Sequence, residues 1–213
     1  MNHRSYVGPE AEYDLISAMT FNLLTSCGLR EYHKVLDIGC GSLRNGRLLI
    51  PYLNRYNYIG VEPNQWLVKD GINYEVGGSM IKLRKPKFIY NSRLNRHKPM
   101  SVDYCVAQSI FSHCSKEMIT NWLKDLKRHL KSDGKIFATF IEGQEQDVKG
   151  WVYPNGVRYR YSTIKALAED GGFSISRIKW FHPRQVWIAM WKNELKNTEN
   201  FTNNVHWNNL SKK

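Results

Sequence analysis

The chain of 213 residues is long enough for one domain with a hydrophobic core, and it carries a formal net charge of +12. No apolar run is long enough for a membrane span, and the first residues, among them Arg4 and Glu10, lack the apolar stretch of a signal peptide. The cysteines show neither a C-x-x-C pair nor a metal-ligand spacing (Cys27, Cys40, Cys105, Cys114). We therefore expect a cytoplasmic protein without a metal site, a disulfide framework or a membrane span.

Helices and strands alternate along most of the chain, and Pro9 and Gly28 mark the start and the end of the first helix. In chain order the predicted elements are helix 9–27, strand 34–38, helix 43–53, strand 58–62, helix 64–71, strands 88–90 and 102–107, helix 115–130, strand 135–140, helix 162–170, and strands 173–179 and 185–191. Ser115 and Ser162 are the predicted N-caps of their helices, and Asp133-Gly134 is a predicted turn.

This alternation predicts an α/β fold with a doubly wound, mostly parallel seven-stranded sheet and helices on both faces. The last two strands are expected to pair as an antiparallel hairpin, because no helix separates them. Residues 1–192 are expected to form a single domain, with 1–28 as an N-terminal arm and helix. Residues 193–213 are expected to form an asparagine-rich tail, in which Phe201, Val205 and Trp207 could dock on the domain.

Residues 34–46 are the most informative stretch of the sequence. An apolar strand ends in Asp37, Gly39 and Gly41 form a turn, and a helix opens behind it. Glycines let the backbone come within contact distance of a ligand, because no Cβ stands in the way. The next strand ends in Glu62, and an acid about 20 residues after such a turn typically holds ribose hydroxyls. The pattern therefore predicts one nucleotide-binding half of a doubly wound sheet.

The turn lacks the third glycine of a dinucleotide-binding fingerprint, since Arg44 stands three residues after Gly41. The run Val35–Gly41 instead resembles the first motif of class I S-adenosylmethionine-dependent methyltransferases, and Glu62 resembles their ribose-binding acid. The longer pattern, with Ser42-Leu43-Arg44 and Phe181–Gln185, is similar to a small bacterial group often assigned to surface-polysaccharide or small-molecule methylation.

The resemblance implies the class I methyltransferase fold over residues 30–191, methyltransferase activity and S-adenosylmethionine as the cofactor. It also implies cofactor contacts at a set of loop residues, namely Asp37, Gly39, Cys40, Gly41, Arg44, Glu62, Pro63, Asn64, Asn91, Ser92, Gln108 and Ser109.

Residues 108–113 follow the fourth strand and lie where chemistry occurs in such sheets. This segment lacks the Pro-Pro-aromatic tetrapeptide that base-amine methyltransferases usually place there, and no acid cluster suggests a catalytic metal. We therefore expect either oxygen methylation assisted by a general base or the positioning of a group that is already nucleophilic. His113 is the leading candidate and His182 the second, since an imidazole titrates near neutrality. Tethering of a loop is the alternative role for either histidine.

Recognition of the acceptor is expected to involve charge and aromatic rings. The run from Lys82 to Lys98 holds no acid, which favours an anionic acceptor, with a solvated face as the alternative. Four aromatic residues after the fifth strand are expected near the acceptor (Trp151, Tyr153, Tyr159, Tyr161). We expect a small, hydroxyl-bearing, anionic molecule such as a nucleotide- or phosphate-linked sugar. A nucleic-acid methyltransferase and a non-catalytic S-adenosylmethionine-binding module are the alternatives.

Overall fold

The computed structural model describes residues 2–193 and residue 205. The chain forms two compact units, of which the first ends at Ser92 and the second begins at Arg93. Within the described residues there are eight strands and seven α-helices. Val205 is buried, whereas Phe201 and Trp207 lie outside the described residues. None of the helices in the described part is long and apolar enough to cross a membrane.

The first unit contains three parallel strands and the helices that precede or connect them. Its elements are α1 (His3–Tyr6), a 3-10 turn (Glu10–Glu12), α2 (Tyr13–Ser26), β1 (Val35–Ile38), α3 (Gly46–Tyr52), β2 (Tyr58–Val61), α4 (Gln65–Gly71), a π-helical turn (Ile72–Val76), α5 (Gly78–Arg84) and β3 (Lys87–Ile89). β1 pairs with β2 and β2 with β3, both in parallel, so their carboxyl ends lie at one edge. β1 and β2 are buried throughout, as their apolar runs predict.

Two predictions for this unit are wrong in detail. The first helix does not begin at Pro9, because residues 10–12 form a 3-10 turn and α2 starts at Tyr13. The predicted loop that starts at Lys82 is partly helical, because α5 continues to Arg84. Lys85 and Lys87 consequently lie at the amino end of β3, the edge opposite Gly39 and Gly41. The basic run is therefore not a single patch beside the glycine turn.

The second unit contains the antiparallel part of the sheet. Its elements are β4 (Val102–Ala107), a 3-10 turn (Phe111–His113), α6 (Lys116–His129), β5 (Leu130–Glu142), β6 (Arg158–Tyr159), α7 (Tyr161–Asp170), β7 (Phe173–Ile178) and β8 (Val186–Lys192). β5 pairs in parallel with β4 and β6, and β8 lies antiparallel between β5 and β7. The α/β class, the mostly parallel pairing and the antiparallel C-terminal strands are confirmed; the additional strand is the two-residue β6.

Two local predictions for this unit are also wrong. Asp133-Gly134 does not form a turn, because β5 runs from Leu130 and its register with β4 shifts near this point. A Cβ at Gly134 would lie 2.6 Å from Leu130 Cγ, so close packing explains the glycine. Ser162 is not the N-cap of α7, since that position is Arg160 without a side-chain cap. The cap of α6 is confirmed, because Ser115 Oγ accepts a hydrogen bond from Met118 N at 3.3 Å.

Candidate active site

The turn after β1 is organised by the buried carboxylate of Asp37. Tyr58 Oη donates to Asp37 Oδ2 at 2.8 Å, and Asn45 Nδ2 donates to Oδ1 at 3.4 Å. Burial raises the pKa of Asp37 to about 6, against the lowering effect of these two hydrogen bonds. Asp37 therefore joins the end of β1 to β2 and to the start of α3, and its oxygens are engaged inside the fold.

The glycine turn itself brings the backbone close to its neighbours. Gly39 and Gly41 have φ angles of 64° and 52°, in the left-handed region that disfavours side chains. Gly39 N and Cys40 N both donate to Val61 O, at 2.8 and 3.1 Å. A Cβ on Gly41 would lie 2.7 Å from Val7 Cγ1, so the N-terminal arm approaches the turn as closely as a glycine allows.

Glu62 lies directly after β2 and binds the glycine turn. Its Oε2 accepts from Gly41 N at 3.2 Å, and its Oε1 accepts from both Asn64 N and Asn64 Nδ2 at 2.9 Å. Burial raises the pKa of the carboxyl, while these hydrogen bonds lower it. An ionised carboxylate offers about four acceptor sites, so three donors leave room for a further hydroxyl. The carboxylate beside a side-chain-free turn fits the ribose of an adenosine cofactor.

The other predicted cofactor contacts of this unit differ in accessibility. Pro63 and Asn64 are exposed next to Glu62, and Asn91 and Ser92 are exposed after the carboxyl end of β3. Arg44 is buried, and its Nη1 donates to Val7 O at 2.8 Å. The guanidinium of Arg44 thus supports the N-terminal arm from inside the unit.

The N-terminal arm is the feature of this site that the sequence did not reveal. Glu75 anchors it, since Arg4 Nε donates to Glu75 Oε1 at 2.6 Å and His3 Nε2 lies 2.8 Å from the same oxygen. The Glu75 side chain is 3% exposed, which places the carboxylate of this ion pair in the interior. No local pattern could indicate this pairing, because the partners are 71 residues apart.

In the second unit, His182 belongs to a hydrogen-bonded cluster after β4 and before β8. Arg184 N and Gln185 N both donate to His182 Nδ1 at 3.1 Å, so a neutral His182 carries its proton on Nε2. The Gln108 carboxamide nitrogen lies 3.2 Å from Nε2. Because two N–H groups cannot bond to each other, a hydrogen bond here requires the amide group of Gln108 to be turned over, so that its oxygen faces the Nε2 proton. Both ring nitrogens of His182 are therefore engaged in holding the turn.

Ser109 completes this cluster in a strained backbone conformation. It has a φ of 59°, which a non-glycine residue adopts rarely. Its N–H donates to Thr139 Oγ1 at 2.8 Å, and its Oγ accepts from Gln185 Nε2 at 2.7 Å. Thr139 and Gln185 are site residues that sequence reasoning missed, because their roles depend on which strands are neighbours.

His113 differs from His182 in the use of its ring nitrogens. Nδ1 lies 2.7 Å from Asn155 O, a carbonyl that can only accept, so Nδ1 carries a proton. Within the described residues Nε2 has no hydrogen-bond partner, which leaves its lone pair available in the neutral ring. Burial lowers the pKa of His113, and the hydrogen bond to Asn155 opposes that effect. The lowered pKa favours the neutral ring at neutral pH, with the lone pair on Nε2.

Comparison with known proteins supports the assignment of the fold. The model of the methyltransferase domain family matches residues 36–136. A protein from Pyrococcus horikoshii OT3 is 17% identical, with a TM-score of 0.64 over 85% of this chain and 92% of that one. A SAM-dependent methyltransferase from Aquifex aeolicus is 16% identical, with a TM-score of 0.62 over 85% and 92% of the two chains.

A third similar structure has a ligand. Magnesium protoporphyrin IX methyltransferase from Synechocystis PCC 6803, crystallised with bound SAM, is 14% identical. Its TM-score is 0.62 over 86% of this chain and 79% of that one. At these identities the likeness to the three structures is a likeness of fold.

Proposed function

We propose that the chain is a class I S-adenosylmethionine-dependent methyltransferase and that it methylates a hydroxyl oxygen of a small acceptor, with His113 as the general base. The observation that carries the proposal is the geometry of His113, whose Nδ1 is held by Asn155 O while Nε2 stays available. A base of this kind suits an alcohol, which must lose its proton as its oxygen is methylated.

We assign the cofactor contacts mainly to the first unit. Glu62 would accept a hydrogen bond from a ribose hydroxyl, and Gly39 to Gly41 would leave space for the methionine portion beside the turn. Pro63, Asn64, Asn91 and Ser92 follow the carboxyl ends of β2 and β3, where ligands of such sheets bind. Gln108 and Ser109 follow β4 in the same way. Asp37 and Arg44 organise the turn, since both carboxylate oxygens of Asp37 and the Nη1 of Arg44 are engaged with protein partners.

The reaction needs little from the protein beyond orientation, exclusion of water and removal of one proton. The cofactor supplies an electrophilic methyl group on a sulfonium sulfur. Held beside the glycine turn and Glu62, the cofactor would supply the methyl group for the acceptor oxygen and would leave as the neutral thioether. His113 Nε2 takes the hydroxyl proton. His182 holds the turn that carries Gln185, and Gln185 in turn holds Ser109.

For the acceptor we propose a nucleotide- or phosphate-linked sugar, methylated in the cytoplasm during surface-polysaccharide synthesis. The net charge of +12 supports an anionic molecule. In the segment after β5 the exposed Lys149, Arg158 and Arg160 outnumber the acids Glu145 and Asp147 by one. The absence of the base-amine tetrapeptide after β4 supports oxygen over nitrogen as the methylated atom.

A methyl-transfer screen tests this proposal. Sugar nucleotides, phosphosugars, RNA and DNA are incubated with the protein and cofactor labelled in the methyl group. We expect label in a sugar, with at least a hundredfold loss of turnover in His113→Asn and unchanged affinity for S-adenosylhomocysteine in isothermal titration. Transfer to RNA or DNA alone would contradict the acceptor, and full turnover by His113→Asn would contradict the base.

A further inference from the structure

The segment 150–157, here called the aromatic loop, is fastened to the segment that carries His113. Ser115 N donates to Gly150 O at 2.9 Å, Val152 N to His113 O at 3.0 Å, and Val157 N to Ser112 O at 2.8 Å. Trp151 additionally forms an isolated β-bridge with Cys114. These backbone hydrogen bonds, two near the start of the loop and one at its end, fix the path of its backbone before any ligand arrives.

Two side chains of this loop form a shelf of aromatic rings beside His113. Trp151 and Tyr153 lie two residues apart, and their rings are stacked at 6.4 Å with an interplanar angle of 22°. The His113 ring centroid is 5.3 Å from the centroid of each of them. A group that contacts the face of Trp151 is therefore next to the imidazole.

Trp151 is the accessible member of this shelf. It is 49% exposed, although its backbone is fixed. An exposed indole on a fixed backbone offers a large contact area to a ligand, and binding there costs little additional backbone entropy. By contrast, Tyr159 is buried with its hydroxyl on Cys114 O, and the Tyr161 ring contacts the Arg177 guanidinium. The sequence predicted an acceptor role for all four aromatic residues, and the structure favours Trp151 and Tyr153.

We propose that the aromatic loop is the acceptor subsite and that Trp151 determines specificity by stacking on a ring of the acceptor that carries the methylated hydroxyl. The proposal rests on the proposed function, because it places the hydroxyl beside the base of that reaction. Two kinds of acceptor share this chemistry: a pyranose, which presents C–H groups to the indole, and a phenol, which presents a π-face. An acyclic alcohol has neither surface and should bind poorly.

Saturation-transfer NMR tests the contact without requiring turnover. The probes are UDP-glucose, 4-hydroxybenzoate and the acyclic glycerol 3-phosphate, each added to the protein saturated with S-adenosylhomocysteine. We expect saturation of the ring protons of at least one cyclic probe, loss of that signal in Trp151→Leu and its recovery in Trp151→Phe. Tyr32→Ala removes another exposed aromatic ring, which lies before the amino end of β1, and is the control, with no expected change.

Steady-state kinetics on the cyclic acceptor then separates binding from chemistry. We expect Trp151→Leu to raise KM about tenfold with a smaller change in kcat, since stacking on the indole contributes to binding rather than to proton removal. Ring-proton signals that survive in Trp151→Leu, or a glycerol 3-phosphate signal as strong as that of the rings, would overturn the subsite. If cyclic probes bind through Trp151 but no methyl is transferred, the subsite stands and the proposed function fails. If methyl is transferred while Trp151→Leu leaves KM unchanged, the proposed function stands and the subsite fails.

Discussion

At the scale of single residues, Glu62 and His113 both keep one acceptor position available. Glu62 uses its carboxylate to hold Gly41 and Asn64, and it retains room for a hydroxyl donor. His113 uses Nδ1 for Asn155 and retains Nε2. In each case contacts inside the protein orient the group, which lowers the entropy cost of engaging the ligand.

We expect Glu62→Ala to weaken S-adenosylmethionine binding at least tenfold, because hydrogen bonds to a charged group contribute about 1.5–3 kcal/mol each. Isothermal titration with S-adenosylmethionine and S-adenosylhomocysteine measures the change. Asn64→Ala, which keeps the carboxylate, is the matched variant and should retain more affinity. Equal affinity of wild type and Glu62→Ala would show that the ribose is bound elsewhere.

For His113 we expect turnover that rises with pH through a pKa below the usual histidine value and then stays level. Turnover rises with pH because only the neutral imidazole accepts a proton, and the pKa is lowered because burial favours the neutral form. His97→Asn, which changes a histidine in the loop before β4, should leave the profile unchanged. A rate independent of pH between 5 and 8 would indicate a substrate that is already ionised and no need for the base.

At the scale of elements, the two long helices of the second unit begin differently. α6 has a side-chain cap from Ser115, whereas α7 starts after Arg160 without one. An N-cap hydroxyl satisfies one of the backbone N–H groups that the first helical turn leaves unpaired. Two serines that look alike in the sequence therefore have different effects on stability.

We expect Ser115→Ala to lower the free energy of unfolding by about 1 kcal/mol, which corresponds to about 2–4 °C in Tm for a chain of this size. Ser162→Ala is the matched control and should leave Tm within about 1 °C, since surface substitutions away from caps cost little. Differential scanning fluorimetry of both variants measures this. Equal losses in the two variants would contradict the assignment of the cap.

At the scale of the whole molecule, buried carboxylates determine how stability responds to acid. The pKa of Glu75 is lowered by Arg4 and His3 despite the opposing effect of burial, so its contribution is lost as the pH falls. Asp37 acts in the opposite direction, because burial raises its pKa from 3.8 to about 6. Between these two values the folded state binds more protons than the unfolded state, and stability falls as the pH rises.

We therefore expect Asp37 to cost stability as the pH increases from about 4 to about 6, by up to about 3 kcal/mol. Urea unfolding of wild type and Asp37→Asn across this range measures it, and the variant should lack this decline. Asp133→Asn changes an exposed carboxylate and is the control. A decline of the same size in Asp37→Asn would assign the effect to another group.

Much of the fold and part of the site follow from local sequence pattern alone. Buried strands such as β4 appear as apolar runs, and their alternation with amphipathic helices indicates an α/β sheet. The glycine turn and Glu62 could be located because backbone conformation and short spacing determine them. Asp133-Gly134 was misread as a turn, because a glycine required by close packing looks like one required by a turn.

The sequence by itself thus determined the fold class, because alternating strands and helices depend on periodicity and on neighbours in the chain, and a resemblance in its motifs predicted the cofactor and the segment that contacts it. Only the tertiary structure decided which nitrogen of His113 is available, that His182 holds a turn, and that Glu75 anchors the N-terminal arm. The tertiary structure also shows that Lys85 and Lys87 lie at the edge of the sheet opposite the glycine turn. These features depend on hydrogen bonds and ion pairs between residues far apart in the chain, and no local pattern of residues specifies such pairs.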